Sequence, residues 1–479
     1  MPIHIGISPN LNPSFYLIGD DISTAHFHVG DSNEEISTVE EILSKSSSTT
    51  PIGLRVDGQA VQSPQGPDGL PLVRSFYEIF PDHLGNHYRL FQKYGHVIKT
   101  TNMGKITYLT DSPEINENQL LWGVKDNTAI FIGDTETENV RLSHKFLPPA
   151  IGPKAVRHYT PLVQECVRKS FDYMVKLASQ DIGKFSVGTD FEHFTHVDAP
   201  LHPTMTNIAN LLSLNKKITA RGEWYRHLPF GDPARLKNVQ KTIYSLLQEQ
   251  IDRVKDSSIA GMPMNEAAIN ASCVVDYLLN TVDEAGEKFP EGLILANMLI
   301  ITGAGFTATS TLMSWLIYCL INYEGTQDRL YEELCEAGIA NTNEAVTWTP
   351  ELPHSLSYLD CVVKETQRLH NASFQPGRTT QADVVLPGGY SLPADSVIVP
   401  ALDEVKSKHR YAYIPFATGP RGCIGFSFAL LEVKILLSEL VSRYEFFREG
   451  LDAIEYDPEF QLIRPLNLYV RAKNRTGVA

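Results

Sequence analysis

The feature that most restricts the fold of this chain is an uncharged stretch at residues 292–323. As an α-helix rising 1.5 Å per residue it would extend roughly 48 Å, which is long enough to cross a membrane. The middle of the stretch is rich in polar and small residues, which would be costly in lipid because hydrocarbon offers no hydrogen-bond partners: Asn297, Thr302, Gly303, Gly305, Thr307, Thr309, Ser310 and Thr311. The pattern favours a helix buried on all sides in a large globular domain over a membrane span.

The composition is that of an ordinary globular protein. Of 479 residues, 43% are hydrophobic and 20% are charged, which argues against disordered, collagen-like and multi-span membrane chains. The 41 basic and 56 acidic residues give a net charge of -15, which opposes nucleic-acid binding. The cysteines are scattered singly with no CxxC pair, so a zinc ribbon or a disulfide framework does not fit and a reducing compartment is favoured.

The chain divides by composition into two parts. Residues 1–62 form an acidic segment of unknown function that ends near a Ser/Thr-rich linker, and the Pro/Gly-rich run at 64–71 opens a main domain at 63–479. The N-terminus shows neither an export signal nor an apolar anchor. No internal repeat is evident.

Helical periodicity dominates the main domain, and strand signals are few. The predicted helices are 84–94, 159–179, 234–254, 324–338, 358–369 and 426–444. The predicted strands are 97–101, 106–109, 384–386, 396–400 and 466–472. The expected fold class is therefore mainly α with a minor β-sheet.

The most specific motif lies at residues 413–425 and leads directly into a predicted helix. It carries the fixed positions of Phe-x-x-Gly-x-Arg-x-Cys-x-Gly, namely Phe416, Gly419, Arg421, Cys423 and Gly425. Average residue usage makes an accidental match in such a chain a chance on the order of one in ten thousand. Glycines let the backbone approach a flat ring closely, and the following helix dipole favours a thiolate. On this motif the chain resembles the cytochrome P450 family.

The resemblance implies a cytochrome P450-like fold that binds haem b (iron protoporphyrin IX). Cys423 would be the axial thiolate ligand of the iron, and Arg421 would bind a haem propionate, with Phe416, Gly419 and Gly425 in the cofactor-binding loop. A thiolate ligand pushes electron density onto iron and favours O–O cleavage. The alternative for a single cysteine is a small buried hydrophobe, which is how we interpret the other five.

A Glu-x-x-Arg pattern upstream of the cysteine, formed by Glu365 and Arg368, supports the same family. Alone it is weak, because any helix can carry such a solvated pair. The resemblance implies that this pair locks the haem-side scaffold and that Arg378 reaches a propionate. The family's second arginine, which completes the lock, has no counterpart between 401 and 413 unless Arg410 substitutes. The unfilled position predicts a looser network.

His144 is a further candidate for a haem propionate. It lies in a segment that resembles the family's Trp-x-x-x-Arg/His helix, with Val140 at the usual Trp position. The alternative is an ordinary histidine on a surface helix.

The distal-helix motif, Ala-Gly-x-Asp/Glu-Thr-Thr in the family, is matched imperfectly at 304–309. The acid is replaced by Thr307 and the first threonine by Ala308, which puts efficient proton delivery in doubt. Gly305, Thr307 and Thr309 are the candidate catalytic positions, since the two threonines flank the missing hydroxyl and are placed to hold a relay water. A register slipped to 303–307 restores the threonine but puts Phe306 in the acid's place. Helix packing is the equal alternative.

The resemblance implies a monooxygenase that inserts one oxygen atom of O2 into an apolar organic molecule, a fatty acid being one candidate. The partners are then a separate NADPH-dependent reductase and the small-molecule substrate, with no nucleic acid and with membrane association open. The expected location is cytoplasmic or peripheral on the endoplasmic reticulum surface. Basic residues are expected to form a docking face for the reductase on the side of the cysteine loop: Lys145, Lys406, Lys408, His409, Arg410 and Arg421. A solvated charge run explains them equally well.

Two alternatives stay open. One, suggested by apparent gaps relative to the family near residues 111–115, 171–174 and 401–408, is a degenerate, haem-poor remnant that acts at most as a binding protein. The other is a haem-thiolate isomerase, dehydratase or peroxygenase, suggested by the lost acid and threonine.

Overall fold

A computed structural model describes the main helical body of the chain. The described residues are 17–18, 26–27, 63–68, 75, 78, 83–102, 105–110, 129–130, 137–170, 186–188, 201–221, 223–254, 260–341, 346–370, 372, 378–380, 382–386, 389–400, 413–417, 421–450, 453–457 and 462–475. By its contacts the chain forms two units, one of residues 1–65 with 380–396 and one of residues 66–379 with 397–479. The division into 1–62 and 63–479 stays a prediction.

Helices make up most of the described chain, as predicted. They are α1 (His83–Tyr94), α2 (Glu138–Ile151), α3 (Pro153–Ser170), α4 (Pro203–Arg221), α5 (Glu223–Arg226), α6 (Asp232–Arg253), α7 (Met264–Ala267), α8 (Val274–Asn280), α9 (Glu291–Asn322), α10 (Thr326–Glu336), α11 (Leu352–Ser355), α12 (Ser357–Leu369) and α13 (Phe426–Arg443). The mainly helical fold class is confirmed.

The strands are short and form small sheets. They are β1 (Leu17–Ile18), β2 (His26–Phe27), β3 (Val97–Asn102), β4 (Lys105–Thr110), β5 (Arg378–Thr379), β6 (Val384–Leu386), β7 (Tyr390–Leu392), β8 (Val397–Pro400), β9 (Tyr444–Glu449) and β10 (Tyr469–Asn474). In the larger unit, β3–β4–β8–β5 form one sheet and β9 pairs with β10. β4 and β8 run parallel, with Thr107 opposite Val397, and the other pairs of that unit are antiparallel. The smaller unit holds the antiparallel pairs β1–β2 and β6–β7.

Several elements differ from the sequence-based expectation. α3 begins at Pro153, ahead of the predicted 159, because a proline is well tolerated in the first turn of a helix. α4 was not predicted at all. β9 follows α13 directly at Tyr444 because it is stabilised by its partner β10, and such pairing between distant segments leaves little local signal.

α9 is the central helix of the larger unit and contains most of the uncharged stretch. It packs against α4, α6, α8, α10, α12 and α13. By length and composition it could cross a membrane, but most of it is buried, with Trp315 and Leu316 fully inside and the Trp315 indole donating to the Ile463 carbonyl at 2.8 Å. Burial is thus confirmed for most of α9, whereas burial on all sides is wrong at Ala304, which is exposed.

α13 anchors the cysteine loop to this core. Nearly all of its residues from Leu431 to Ser442 are buried, and it packs on α3, α9, α10 and α12. Burying apolar side chains releases about 25 cal/mol per Å², so this helix contributes strongly to stability. The loop before Phe426 is therefore attached to one of the most firmly held elements of the unit.

Candidate functional site

The cysteine loop is closed by backbone hydrogen bonds. The Cys423 amide donates to the Phe416 carbonyl at 2.8 Å, and the Ala417 amide donates to the Ile414 carbonyl at 2.9 Å. Ala417 has a φ of 56°, in the left-handed region that costs a non-glycine residue energy. The fold therefore holds a strained turn immediately before the segment that contains Gly419, which lies outside the described residues.

Cys423 presents its sulfur at the N-terminal end of α13. Gly425 caps that helix, and a Cβ built on Gly425 would meet nothing within 4 Å, so open space lies beside Gly425. Cys423 is a free cysteine with an exposed surface, yet burial by the surrounding protein raises the pKa of its thiol, against the lowering effect of the Gly425 amide. Cys423 is thus surrounded by protein and still open to solvent. That the helix end favours the thiolate stays a prediction, since desolvation raises the pKa of the thiol and the Gly425 amide lowers it.

Two basic side chains, Arg421 and His144, are associated with the cysteine loop. Arg421 donates through Nη1 to the Ile130 carbonyl at 3.1 Å, and its charge acts on His144 in α2. Burial, with Arg421 as the second cause, lowers the pKa of His144. The structure thus brings together His144 and Arg421, which lie far apart in the sequence. A carboxylate that binds there would meet donors from both side chains.

Glu365 and Arg368 pair as predicted, on the last turns of α12. The guanidinium holds the carboxylate with two bonds, Nε to Oε2 at 2.8 Å and Nη2 to Oε1 at 2.7 Å. The Arg368 bond, the largest cause, lowers the pKa of Glu365. The Glu365 side chain is 57% exposed, so water solvates it and the idea that an absent arginine leaves a buried charge unsatisfied is wrong. Arg378 lies on β5, and Arg410 lies outside the described residues.

The distal-helix candidates lie midway along α9. Thr307 is buried and donates through Oγ1 to the Gly303 carbonyl at 2.7 Å, a bond back to the preceding turn. Thr309 is also buried, whereas Ala304 is exposed and Gly305 and Ala308 are half-buried. Ala304 and Ala308 are four residues apart and share a face. The least covered face of α9 therefore carries alanines, including Ala308 at the position of the motif's first threonine.

One residue of the expected basic docking face is already neutralised. The Lys145 ammonium forms an ion pair with the Asp283 carboxylate at 2.5 Å, and this bond is the main reason that the pKa of Asp283 is lowered. Lys145 is therefore not available as a free docking charge. Residues 406–410 lie outside the described part of the chain. The Trp122 region and residues 371–375, which the family resemblance offers as further lining of a substrate pocket, also lie outside it, apart from Ala372.

These residues fit a haem group. Cys423 is exposed, open space lies at Gly425 two residues further along, and a soft thiolate is a ligand that iron accepts. The His144 and Arg421 pair is suited to carboxylates such as those of a porphyrin. All of these residues belong to the larger unit.

The comparisons with known proteins agree with this site. The family described as Cytochrome P450 matches residues 64–405 and 402–469, two pieces that meet where the sequence pattern suggested a missing segment. The chain is 42% identical, over 94% of its length and 90% of the relative's, to Cytochrome P450 monooxygenase alnD of Emericella nidulans. It is 30% identical to Cytochrome P450 4c21 of Blattella germanica over 50% of this chain and 52% of that one.

A third relative carries a second activity in its name. The Bifunctional cytochrome P450/NADPH--P450 reductase ascE of Acremonium egyptiacum is 23% identical over 86% of this chain, which covers 43% of that longer protein. Taken with the fold and the cysteine loop, these matches establish that the chain belongs to the cytochrome P450 family. It is an oxidoreductase of the monooxygenase class, in a family whose members hold haem through a cysteine thiolate and draw on reductases and organic substrates.

Two groups of residues near the site were missed by sequence reasoning. Asp360 of α12 pairs with the buried Lys434 of α13 at 2.9 Å, and Asn297 of α9 links Ser143 of α2 to Ile130, whose carbonyl accepts a hydrogen bond from Arg421. A lysine within an apolar helix and an amide within the uncharged stretch were the available signals, because such groups are rarely buried without a partner.

Proposed function

We propose that the chain is a haem-thiolate monooxygenase in which Cys423 ligates the iron of haem b. The observation that carries the proposal is the exposed Cys423 just before α13, in the same loop as Arg421, whose charge acts on His144. The haem, when bound, supplies the redox chemistry that activates dioxygen. The protein's own contribution is to hold, orient and shield the reacting groups.

Each residue has a distinct role in this proposal. Cys423 binds the iron from the α13 side, Arg421 and His144 bind propionates, and Arg378 is a further candidate for a propionate. Phe416 and Gly425 flank the thiolate, and Gly419 is assigned to the cofactor-binding loop by the family motif. Glu365 and Arg368 support the scaffold below the cofactor. The distal helix α9 contributes Gly305, Thr307 and Thr309, of which Thr307 donates its hydroxyl proton in a hydrogen bond to the Gly303 carbonyl and can accept a hydrogen bond from water.

The substrate in this proposal is an apolar organic molecule, with fatty acids as the first class to test. The electrons come from a separate NADPH-dependent reductase, and the fused reductase named in the Acremonium relative supports a donor of that class. Location in the cytoplasm or on the endoplasmic reticulum surface, membrane association and the function of residues 1–62 stay predictions.

Reductase-driven turnover tests this function. The purified, haem-loaded chain, NADPH, a fungal P450 reductase and medium-chain fatty acids should together give a product that contains one atom of labelled O2. Omitting the reductase should abolish the product, because nothing else in the mixture supplies electrons. Product formed only with added peroxide would instead assign the peroxygenase alternative. Haem that cannot be loaded at all would assign the remnant alternative.

A hydroxyl added at Ala308 should improve the use of electrons. Ala308 lies on the less covered face of α9, and a threonine there would add a proton donor where both native threonines are buried. We expect Ala308→Thr to raise product per NADPH by about tenfold and to lower released peroxide, a modest fraction of what a positioned proton donor contributes. Ala308→Val, which has the same shape without the hydroxyl, is the control. An equal gain in both variants would show that packing and not proton delivery limits the coupling.

A further inference from the structure

Asn297 lies at the junction of three segments of the larger unit. Its side chain is fully buried in α9. Its Oδ1 accepts the backbone N–H of Ile130 at 2.8 Å, and its Nδ2 donates to the Leu293 carbonyl at 2.9 Å and to the Ser143 hydroxyl at 3.1 Å. The amide therefore uses its acceptor and both of its donors inside the protein.

Two of these bonds lead toward a cofactor-binding candidate. Ile130 donates its N–H to Asn297, and its carbonyl accepts a hydrogen bond from Arg421 at 3.1 Å. Ser143 immediately precedes His144 on α2. The distal helix is thus connected through the backbone of Ile130 to Arg421, which lies two residues before Cys423. The bond to Ser143 is a branch that connects it to α2, the helix that carries His144.

We infer that Asn297 is a positioning residue that fixes Arg421, and through it the cysteine loop, in the geometry that holds the haem propionate. This inference rests on the proposed haem-binding function. A guanidinium on a long side chain has many rotamers, and anchoring one of its N–H groups on a carbonyl that is itself held lowers the entropy lost when a carboxylate binds. Ile130 can serve as that anchor only if its backbone is fixed, and the hydrogen bond from its N–H to Asn297 fixes it.

The bond between the Ile130 N–H and Asn297 Oδ1 is the essential one, because it leads to Arg421. The bond between Asn297 and Ser143 leads only to the helix that carries His144. Substitutions can separate the two. Asn297→Leu removes all three bonds, Asn297→Asp keeps an acceptor for the Ile130 N–H, and Ser143→Ala removes only the branch. Thr302→Val is the matched control, because Thr302 is equally buried in α9 and bonds to Ser186 at 3.0 Å, away from Arg421.

The experiment measures haem dissociation from the loaded protein into an excess of a haem-acceptor protein, together with the carbon monoxide difference spectrum. Asn297→Leu should lose haem about tenfold faster than the unaltered chain, since a bond that restrains a charged group contributes on the order of 1.4 kcal/mol. Asn297→Asp should fall between Asn297→Leu and the unaltered chain. Ser143→Ala and Thr302→Val should release haem at close to the original rate, even where their melting temperatures drop.

The outcomes separate this inference from the function on which it rests. If the unaltered chain gives no thiolate-haem spectrum, the proposed function fails. If that spectrum is present but Asn297→Leu and Thr302→Val lose haem at the same rate, Asn297 is only a packing residue and the inference is overturned. If Asn297→Leu does not fold, a Ser143→Ala rate that exceeds the Asn297→Asp rate would overturn it equally, because the branch would then matter more than the Ile130 bond.

Discussion

Replacing Cys423 with alanine should abolish the red-shifted carbon monoxide difference band that the haem-loaded protein is expected to show. The band depends on a thiolate bound to the iron, and Cys423 is an exposed free cysteine two residues before the open space at Gly425. The loss should be complete, since a methyl group cannot ligate a metal. Haem content after purification should fall with it. The measurement is the spectrum of the reduced protein with carbon monoxide.

Cys361 provides the matched control for this substitution. It is the other exposed free cysteine among the residues that the structure describes, and it lies on α12 outside the cysteine loop. Cys361→Ala should leave both the band and the haem content unchanged. A band that survives in Cys423→Ala would contradict the ligand assignment, and its loss in Cys361→Ala instead would move the assignment to α12.

Removing Asp360 should destabilise the larger unit by about 3 kcal/mol, the cost expected when one partner of a buried ion pair is lost. Lys434 is only 2% exposed, and its ammonium is held by the Asp360 carboxylate at 2.9 Å. Asp360→Ala leaves this cation in the core without its partner. This pair joins α12, which carries Glu365, to α13, which begins just after Cys423. The free energy of unfolding is measured from urea midpoints of haem-loaded protein.

Two further variants make the cause of this loss visible. Lys364 also pairs with Asp360, at 2.5 Å, but it is 62% exposed, so Lys364→Ala should cost less than about 1 kcal/mol. The double variant Asp360→Ala with Lys434→Met should recover most of the lost stability, since it removes the stranded charge. If the double variant is no more stable than Asp360→Ala alone, the loss comes from helix propensity or packing and not from the buried ammonium.

The effect of Asp360 has a defined pH dependence. Burial acts to raise the pKa of Asp360, but the hydrogen bonds and charges of Lys364 and Lys434 outweigh it, so the pKa is lowered from 3.8. A carboxyl with a depressed folded-state pKa contributes stability above its unfolded pKa and loses it as the pH falls through the folded value. The difference between Asp360→Ala and the unaltered chain should therefore be full at neutral pH and shrink below pH 3.8.

Several features of this protein were predictable because their signals are local. The cysteine motif is contiguous, so Cys423, its loop and the start of α13 follow from the order of residues alone. The helix α12 with its Glu365 and Arg368 pair also follows, since residues three apart meet on one helix face. The hydrophobic periodicity of α1, α6 and α10 predicted those helices to within a few residues.

Other features depend on contacts between segments that are far apart in the chain. β9 forms only because β10 pairs with it, and the sequence pattern of a short strand is too weak to predict this pairing. The distal threonines looked suitable for a relay by residue type, yet the packing around α9 buries Thr307 and Thr309 and leaves Ala304 and Ala308 on the less covered face. Which side of a helix faces a cavity is set by its neighbours.

The sequence by itself determined the family, the cysteine ligand candidate and the central uncharged helix, because each is written in neighbouring residues. The tertiary structure alone decided that His144 and Arg421 interact and that Lys145 forms an ion pair with Asp283. It also decided that Asn297 connects α9 to Ile130. The physical reason is that charge interactions and hydrogen bonds act over a few ångströms of space, whereas the residues that make them here are separated by more than a hundred positions along the chain.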